Sequence, residues 1–508
     1  MRSKIGLLVT VLLAAACGSS GTSGNPADPT ALSQPVAVGL TLTEVAFMQT
    51  LKVPIAKDGQ PADRGSLPLV AGRDALVRLY VAPDASWSAK AVTARVKLVT
   101  NTPTGTFARV FSTTKTVSAA STDNDLDSTI NVAIPGAFLQ TASSFVAVLN
   151  ADGGTAPSGA ELPARYPLDG SLTDLNARPG GEKLRVMIVP IQYGADGSNR
   201  VADVSDDQIE RYRQEFWKLY PAAVVEITTH DPFPWNGAIT GPQGQGINTL
   251  LDALGKLRGQ DNPDSDVYYY GAFMAADNFG NYCSASCITG LSPIGMPYSV
   301  GIGFGGPGEG PVSAETAAHE VGHAHGLLHA PCGGAGGPDP NYPTDPAHAQ
   351  ARIGVWGYDQ ITSVLFDPLV DKGAVKDMMS YCSPTWISDY HYAKLFEKVR
   401  GDNKFYADVF RGDTPRWGGQ HQAYGVGADG KITRQDLASR ERFIAGGEPR
   451  DLVWKTVDGS AMGHATARFF PYDHLPGGVL WVPDAPAGAV SAEVDGIVTP
   501  QRVRFGLR

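Results

Sequence analysis

His319 and His323 stand four residues apart in the stretch AAHEVGHAHGLLH, and His329 follows six residues later. On a helix, side chains at i and i+4 leave the same face, so both imidazoles can reach one ion. Gly326 can take positive φ and turn the chain sharply, which brings His329 back as a third nitrogen ligand. Three protein nitrogens and a water make an open tetrahedral zinc site, the catalytic rather than the structural arrangement. Glu320 projects about 100° around the helix from His319, a position suited to a base beside a metal-activated water rather than to a ligand. A bare His-Glu-x-x-His arises by chance in about 1% of chains of this length, and the correctly placed glycine and third histidine lower that to roughly a few in 100,000. His325 lies about 200° around the helix from His323, so it cannot share the ion and belongs to packing or to the surface.

These residues need a helix through AETAAHEVGHAHG, with Ser313 or a neighbour as its cap. Upstream, KLRVMIVPIQY (183–193), AVVEITTH, SDVYYYGAFMA and PYSVGIGFGG read as strands. Between them, SDDQIERYRQEFWKLYP and GINTLLDALGKLRG read as helices. That alternation marks a mixed α/β unit over 180–402. Before it, 37–175 carries short alternating runs such as ALVRLYVAP, AVTARVKLVT and SSFVAVLNA between turn residues, which suit a β-sandwich. After it, ADVFRG, LVWKTV, HATARFFPY and GGVLWVP suit a second β-sandwich over 404–508.

The first residues, MRSKIGLLVTVLLAAACGSS, combine two basic residues, an apolar stretch too short to span a bilayer, and small residues before Cys17. They read as an export signal over 1–17, in which LLAAAC resembles a lipobox and Cys17 becomes the lipidated first residue. Residues 18–36 are Gly-, Ser- and Pro-rich and read as a flexible tether. The chain is therefore expected outside the cytoplasm, lipid-anchored to a bacterial membrane or else secreted, and touching a membrane through lipid alone. A formal net charge of -10 without a Lys/Arg cluster excludes nucleic acid as the main partner. Cys283, Cys287, Cys332 and Cys382 suggest two disulfides in an exported chain, with three pairings open, and their spacing is poor for a four-cysteine zinc site.

HEVGHAHGLLH has the complete metzincin form His-Glu-x-x-His-x-x-Gly-x-x-His. DMMSYCSPTWISDY (377–390) resembles the methionine turn found downstream in that family. The resemblance covers at most 180–402 and is similar to the pappalysins and to secreted bacterial mucin-cleaving metzincins. It implies an α+β catalytic domain, a twisted mixed sheet with an active-site helix, flanked here by the N- and C-terminal β-sandwiches. It implies Zn2+ held by His319, His323 and His329, Glu320 as general base, Met379 as a hydrophobic floor under the imidazoles, and Tyr381 reaching the metal or the oxyanion. Cys332 and Cys382 each follow one of the two motifs by three residues, so the same resemblance implies Cys332–Cys382 and Cys283–Cys287 disulfides. It also makes YSVGIGFGG the edge strand on which an extended substrate would lie.

The expected activity is zinc-dependent endopeptidase hydrolysis of peptide bonds in extracellular proteins or glycoproteins. Two other readings stand beside it: a lipid-tethered adhesin or glycan-binding protein with a vestigial zinc domain, and a zinc amidohydrolase acting on cell-wall peptides. Oligomeric state is left open.

Overall fold

The computed structural model describes residues 25–26, 33–157, 161–180, 183–284, 286–370, 373–409, 421–439, 446–498 and 501–507. The expected signal segment, Cys17 and most of the expected tether lie outside them. No described helix is long and apolar enough to cross a membrane.

The chain is mostly β with few helices. In the N-terminal part, Leu40–Met48, Ala75–Pro83 and Ile130–Ile134 belong to one antiparallel sheet, and Lys90–Thr102, Gly105–Val117 and Ser143–Asn150 to a second. Period-2 alternation builds the layer between them: Val92, Ala94, Val96 and Leu98 are buried. Phe47 of the first sheet meets Phe145 of the second edge to face, with ring centroids 5.9 Å apart.

The central sheet is mixed. β1 (Leu184–Tyr193) is parallel to both β2 (Val225–Thr229) and β3 (Val267–Phe273). β4 (Gly290–Leu291) is antiparallel to β5 (Tyr298–Ile302), which in turn is parallel to β3. The accompanying helices are α1 (Asp206–Leu219), α2 (Ile247–Asp261), the single turn α3 (Phe279–Tyr282), α4 (Gly306–Ala324) and α5 (Asp389–Val409). Along β3, Tyr268, Tyr270 and Ala272 share a core with α1, α4, α5 and the N-terminal sandwich. Val267, Tyr269 and Phe273 share another with α2 and the C-terminal sheet. The sheet is covered on both faces, which is why its strands read as nearly continuous apolar runs.

Four expectations are corrected. β5 is not an edge: β3 pairs along its length and β4 pairs with it at Val300 and Gly301. The edge belongs to β4, two residues that carry no alternation for a reader of sequence to find. α4 begins at Gly306 rather than near Ser313; Pro307 suits a first helical turn, and the buried Ser313 hydroxyl donates to the Phe304 carbonyl at 2.9 Å. The C-terminal strands form one near-closed, barrel-like sheet rather than two stacked ones. Their order is Ile432–Ser439, His421–Val426, Gly478–Pro483, Ala461–Pro471, Glu448–Lys455, Ser491–Val494, Val503–Gly506. Its ends approach closely enough for Arg434 Nη1 to donate to the Leu507 carbonyl at 3.3 Å. α5 also continues to Val409, past the expected boundary near 402.

Arg73 fastens the N-terminal sandwich to the C-terminal end of α1. Its side chain is fully buried, and its guanidinium donates to the carbonyls of Tyr220 at 2.8 Å, Ala222 at 2.9 Å and Trp217, and to Thr50 Oγ1 at 2.9 Å. The Trp217 and Tyr220 carbonyls are among those that the end of α1 leaves without intrahelical partners. Arg73→Met is expected to destabilise the fold by at least about 2 kcal/mol, because each charge-assisted bond is worth about 1.5–3 kcal/mol and the carbonyls stay buried. A urea midpoint equal to that of the wild type would contradict this role.

Candidate metal centre

α4 presents His319 and His323 one turn apart, and their Nε2 atoms lie 3.0 Å from each other. The helix ends at Ala324 with His325 as its cap, and Gly326 takes φ +86, with Gly326 N–H donating to the His323 carbonyl and Leu327 N–H to the Gly322 carbonyl. This left-handed reversal is the turn that the sequence called for. It sets His329 Nε2 3.1 Å from His323 Nε2. Each Nδ1 faces a backbone carbonyl: His319 that of Met378 at 2.7 Å, His323 that of Leu327 at 2.8 Å, His329 that of Gly336 at 2.6 Å. Each Nδ1 must carry the proton to bond a carbonyl, so every Nε2 turns a lone pair towards its neighbours. Burial, with the neighbouring imidazoles, pushes His319 and His323 well below the usual range, and burial with His474 lowers His329. Neutral rings with converging lone pairs are the form that ligates a cation. His325 instead stacks on Tyr268, with centroids 3.9 Å apart, and its Nδ1 bonds the Val321 carbonyl.

Glu320 is buried on the side of α4 that meets β4. A Cβ on Gly290 would lie 2.4 Å from Glu320 Oε1, so only glycine leaves room for the carboxylate. Oε2 is buried without a hydrogen-bond partner among the described residues. Burial and the Asp473 charge raise the carboxyl well above its usual range, outweighing the opposing effect of His474. A raised carboxyl facing a cleft is what proton transfer at neutral pH asks for. The cleft measures about 920 Å3 and is lined by His319, Glu320, Met378, Tyr381, Asp473 and His474, among others.

Met379 lies buried under the helix. A Cβ on Gly322 would come within 2.7 Å of its sulfur, so the glycine between the first two histidines admits the methionine. Asp377 fixes the turn: its Oδ1 accepts from Met379 N–H at 2.8 Å and from His391 Nδ1 at 2.8 Å, and its Oδ2 accepts from Ser388 N–H at 2.8 Å. Burial alone would raise this carboxyl, but the His391 charge and these bonds hold it below the usual range. The disulfides are Cys283–Cys287 and Cys332–Cys382. The second ties the segment after His329 to the methionine turn, beside backbone bonds from Ala330 N–H to the Met379 carbonyl and from Tyr381 N–H to the Cys332 carbonyl.

Sequence reasoning missed two residues. Asp473 and His474, from the loop between C-terminal strands Ala461–Pro471 and Gly478–Pro483, join the three histidines so that one ligand atom from each lies within 4.8 Å of all the others. Asp473 Oδ2 is 3.3 Å from His323 Nε2 and 3.0 Å from His474 Nε2, yet it lacks an aligned hydrogen bond. His474 Nε2 is 3.2 Å from Glu320 Oε1, and its Nδ1 shares a hydrogen bond with the Tyr381 hydroxyl. Burial works against charge on His474, but Asp473 and Glu320 raise it to about 9. Tyr381, half-exposed, thus reaches the cleft through His474. An orphaned carboxylate oxygen beside three converging imidazole nitrogens is a donor set that fits a divalent cation such as zinc. Gly322→Ala is expected to cost about 1–3 kcal/mol by overpacking the methionine. It should also weaken metal binding, as read from thermal unfolding with and without added zinc; a variant matching the wild type in both would refute the coupling.

Residues 235–385, which hold β3, the histidine helix and the methionine turn, match the Peptidase M66 family model. No curated protein matches the sequence. Among solved structures, a calcium-binding mutant of Bacteroides uniformis beta-glucuronidase 2 aligns over 94% of this chain and 62% of its own length. It does so at 11% identity and a TM-score of 0.14, which carries no argument about fold. The family match and the histidine cluster together support a metal-dependent peptidase.

Proposed function

We propose that this chain is a zinc endopeptidase of the metzincin type, exported as a lipoprotein through Cys17 and acting on extracellular proteins or glycoproteins. The observation that carries the reading is the convergence of His319, His323 and His329 Nε2 atoms, each ring oriented by a carbonyl, beside a buried Glu320.

His319, His323 and His329 would hold the ion, which would supply Lewis acidity towards water and the scissile carbonyl. Glu320 accepts the proton of the attacking water and passes it to the departing amine nitrogen, so one carboxyl serves as base and then as acid. Met379 holds the ligand rings from below. Tyr381 keeps a phenol proton, because burial and the carboxylates of Asp473 and Glu320 disfavour the phenolate. Its hydroxyl is therefore a donor at the wall of the cleft. β4 offers the edge to which an extended peptide could add.

Glu320→Gln is expected to fold and to keep one equivalent of zinc, while cleavage of a proteome-derived peptide mixture falls by at least about 100-fold. Unchanged turnover would remove Glu320 from the reaction. Cys17→Ser is expected to abolish incorporation of labelled palmitate and to release the protein from membranes; labelling that persists would sink the lipoprotein assignment.

A further inference from the structure

The loop 471–477 enters the metal centre from the C-terminal sheet in the manner of an extended peptide. Beyond β4 the chain continues through Ser292, Pro293 and Ile294, and the loop lies antiparallel to it. Ile294 N–H donates to the Pro471 carbonyl at 2.9 Å, Pro293 bridges Tyr472, and Asp473 N–H donates to the Ser292 carbonyl at 3.2 Å. Ser292 N–H in turn donates to Asp473 Oδ1 at 2.9 Å, which leaves Oδ2 pointed at the histidines. The continuation of the β4 edge through 292–294 is thus occupied by the protein's own backbone.

Ligand atoms at about 2.0–2.1 Å from a shared tetrahedral ion lie about 3.3 Å from one another. The observed separations are 3.0 Å between His319 and His323, 3.1 Å between His323 and His329, and 3.3 Å between His323 and Asp473 Oδ2. The carboxylate oxygen is thus at ligand spacing from His323, and one ligand atom of each of His319, His329 and Asp473 lies within 4.8 Å of the others, which puts the carboxylate within reach of the same ion. Asp473 and His323 side chains are both inaccessible to solvent. Its neighbour His474 meets Glu320 at 3.2 Å, so the loop engages the base as well.

We propose that Asp473 is the fourth protein ligand of the metal and that loop 471–477 closes the site as a built-in pseudosubstrate, displaced before a peptide can be cut. The proposal rests on the metallopeptidase reading. While Asp473 Oδ2 holds the fourth position, no water occupies it, and while 471–473 lies on 292–294, no peptide does. The loop is anchored from outside the centre by Tyr472, whose hydroxyl donates to Asp252 Oδ1 at 3.2 Å, and by the buried Phe470.

The test loads the purified full-length chain with cobalt and compares it with Asp473→Asn and Asp473→Ala. The asparagine variant keeps an oxygen for Ser292 N–H but presents an amide nitrogen without a lone pair to the metal. The expected result is a changed visible spectrum that becomes pH-dependent as water enters, at least a tenfold weaker zinc affinity in competition with a chelator, and faster peptide cleavage that Glu320→Gln abolishes in the same background. Superimposable spectra and equal affinities would overturn the ligand assignment. Changed spectra with slower cleavage would overturn the blocking role. Failure of both wild type and variants to bind any metal would instead remove the metallopeptidase reading itself.

Discussion

The structure turns on three converging imidazole lone pairs, His323 Nε2 lying 3.0 Å from that of His319 and 3.1 Å from that of His329. In a buried site such acceptors are costly, since each gives up hydration for nothing. The cost is imposed by backbone geometry, because the three carbonyls that bind the Nδ1 protons belong to three separate segments: Met378 in the methionine turn, Leu327 after the helix, and Gly336 beyond His329. Rotating any ring to relieve the clash of lone pairs would break its carbonyl bond. A cation would satisfy all three at once, so the arrangement is that of a candidate metal site whose donors are oriented by their surroundings.

That orientation is inherited from a buried hydrogen-bonded pair one layer further out. Asp377 and His391 have no accessible side-chain surface, and Asp377 spends both oxygens on the backbone of the methionine turn and the start of α5. The Met378 carbonyl that orients His319 is adjacent to the N–H that Asp377 holds. The Cys332–Cys382 bridge closes a 50-residue separation across the same turn. A crosslink of that span restricts the unfolded chain by about 4 kcal/mol in the chain-entropy account. Packing then finishes what these bonds begin, with Met379 filling the hollow that Gly322 leaves in α4.

The converging histidines were legible because helical spacing and one glycine fix their geometry locally: His319, His323 and Gly326 need no tertiary information. The alternating strands of the N-terminal sandwich were legible for the same reason, their period being that of a half-buried strand. Asp473 and His474 were not. They lie in FFPYDHLPGG, whose proline and glycines read as an ordinary turn, and only the docking of the C-terminal sheet carries them to residues some 150 positions earlier. The edge at β4 was hidden for a different reason, since a two-residue strand leaves no period to detect. The early start of α4 shows tertiary packing overriding propensity, because GPGEGP is a poor helix former and Pro311 lies inside the helix.

The C-terminal sheet is therefore part of the centre rather than an appendage to it. Ala423, Phe470, Val479 and Trp481 share a core with α2 and the central sheet, which fixes the loop with the precision that a tether could not provide. Opening the loop breaks the bonds that Ser292 and Ile294 make with 471–473, and the bond from Tyr472 to Asp252. At about 0.5–1.5 kcal/mol net for each, the barrier from hydrogen bonding is a few kcal/mol. An incoming extended peptide offers the same strand edge the same backbone donors and acceptors, so most of that loss is regained on exchange. What the peptide does not replace is the Asp473 carboxylate on the metal and the Tyr472 anchor. Discrimination between the closed and working states thus falls on one ligand and one aromatic side chain, which makes the balance adjustable by binding energy gained elsewhere along the cleft.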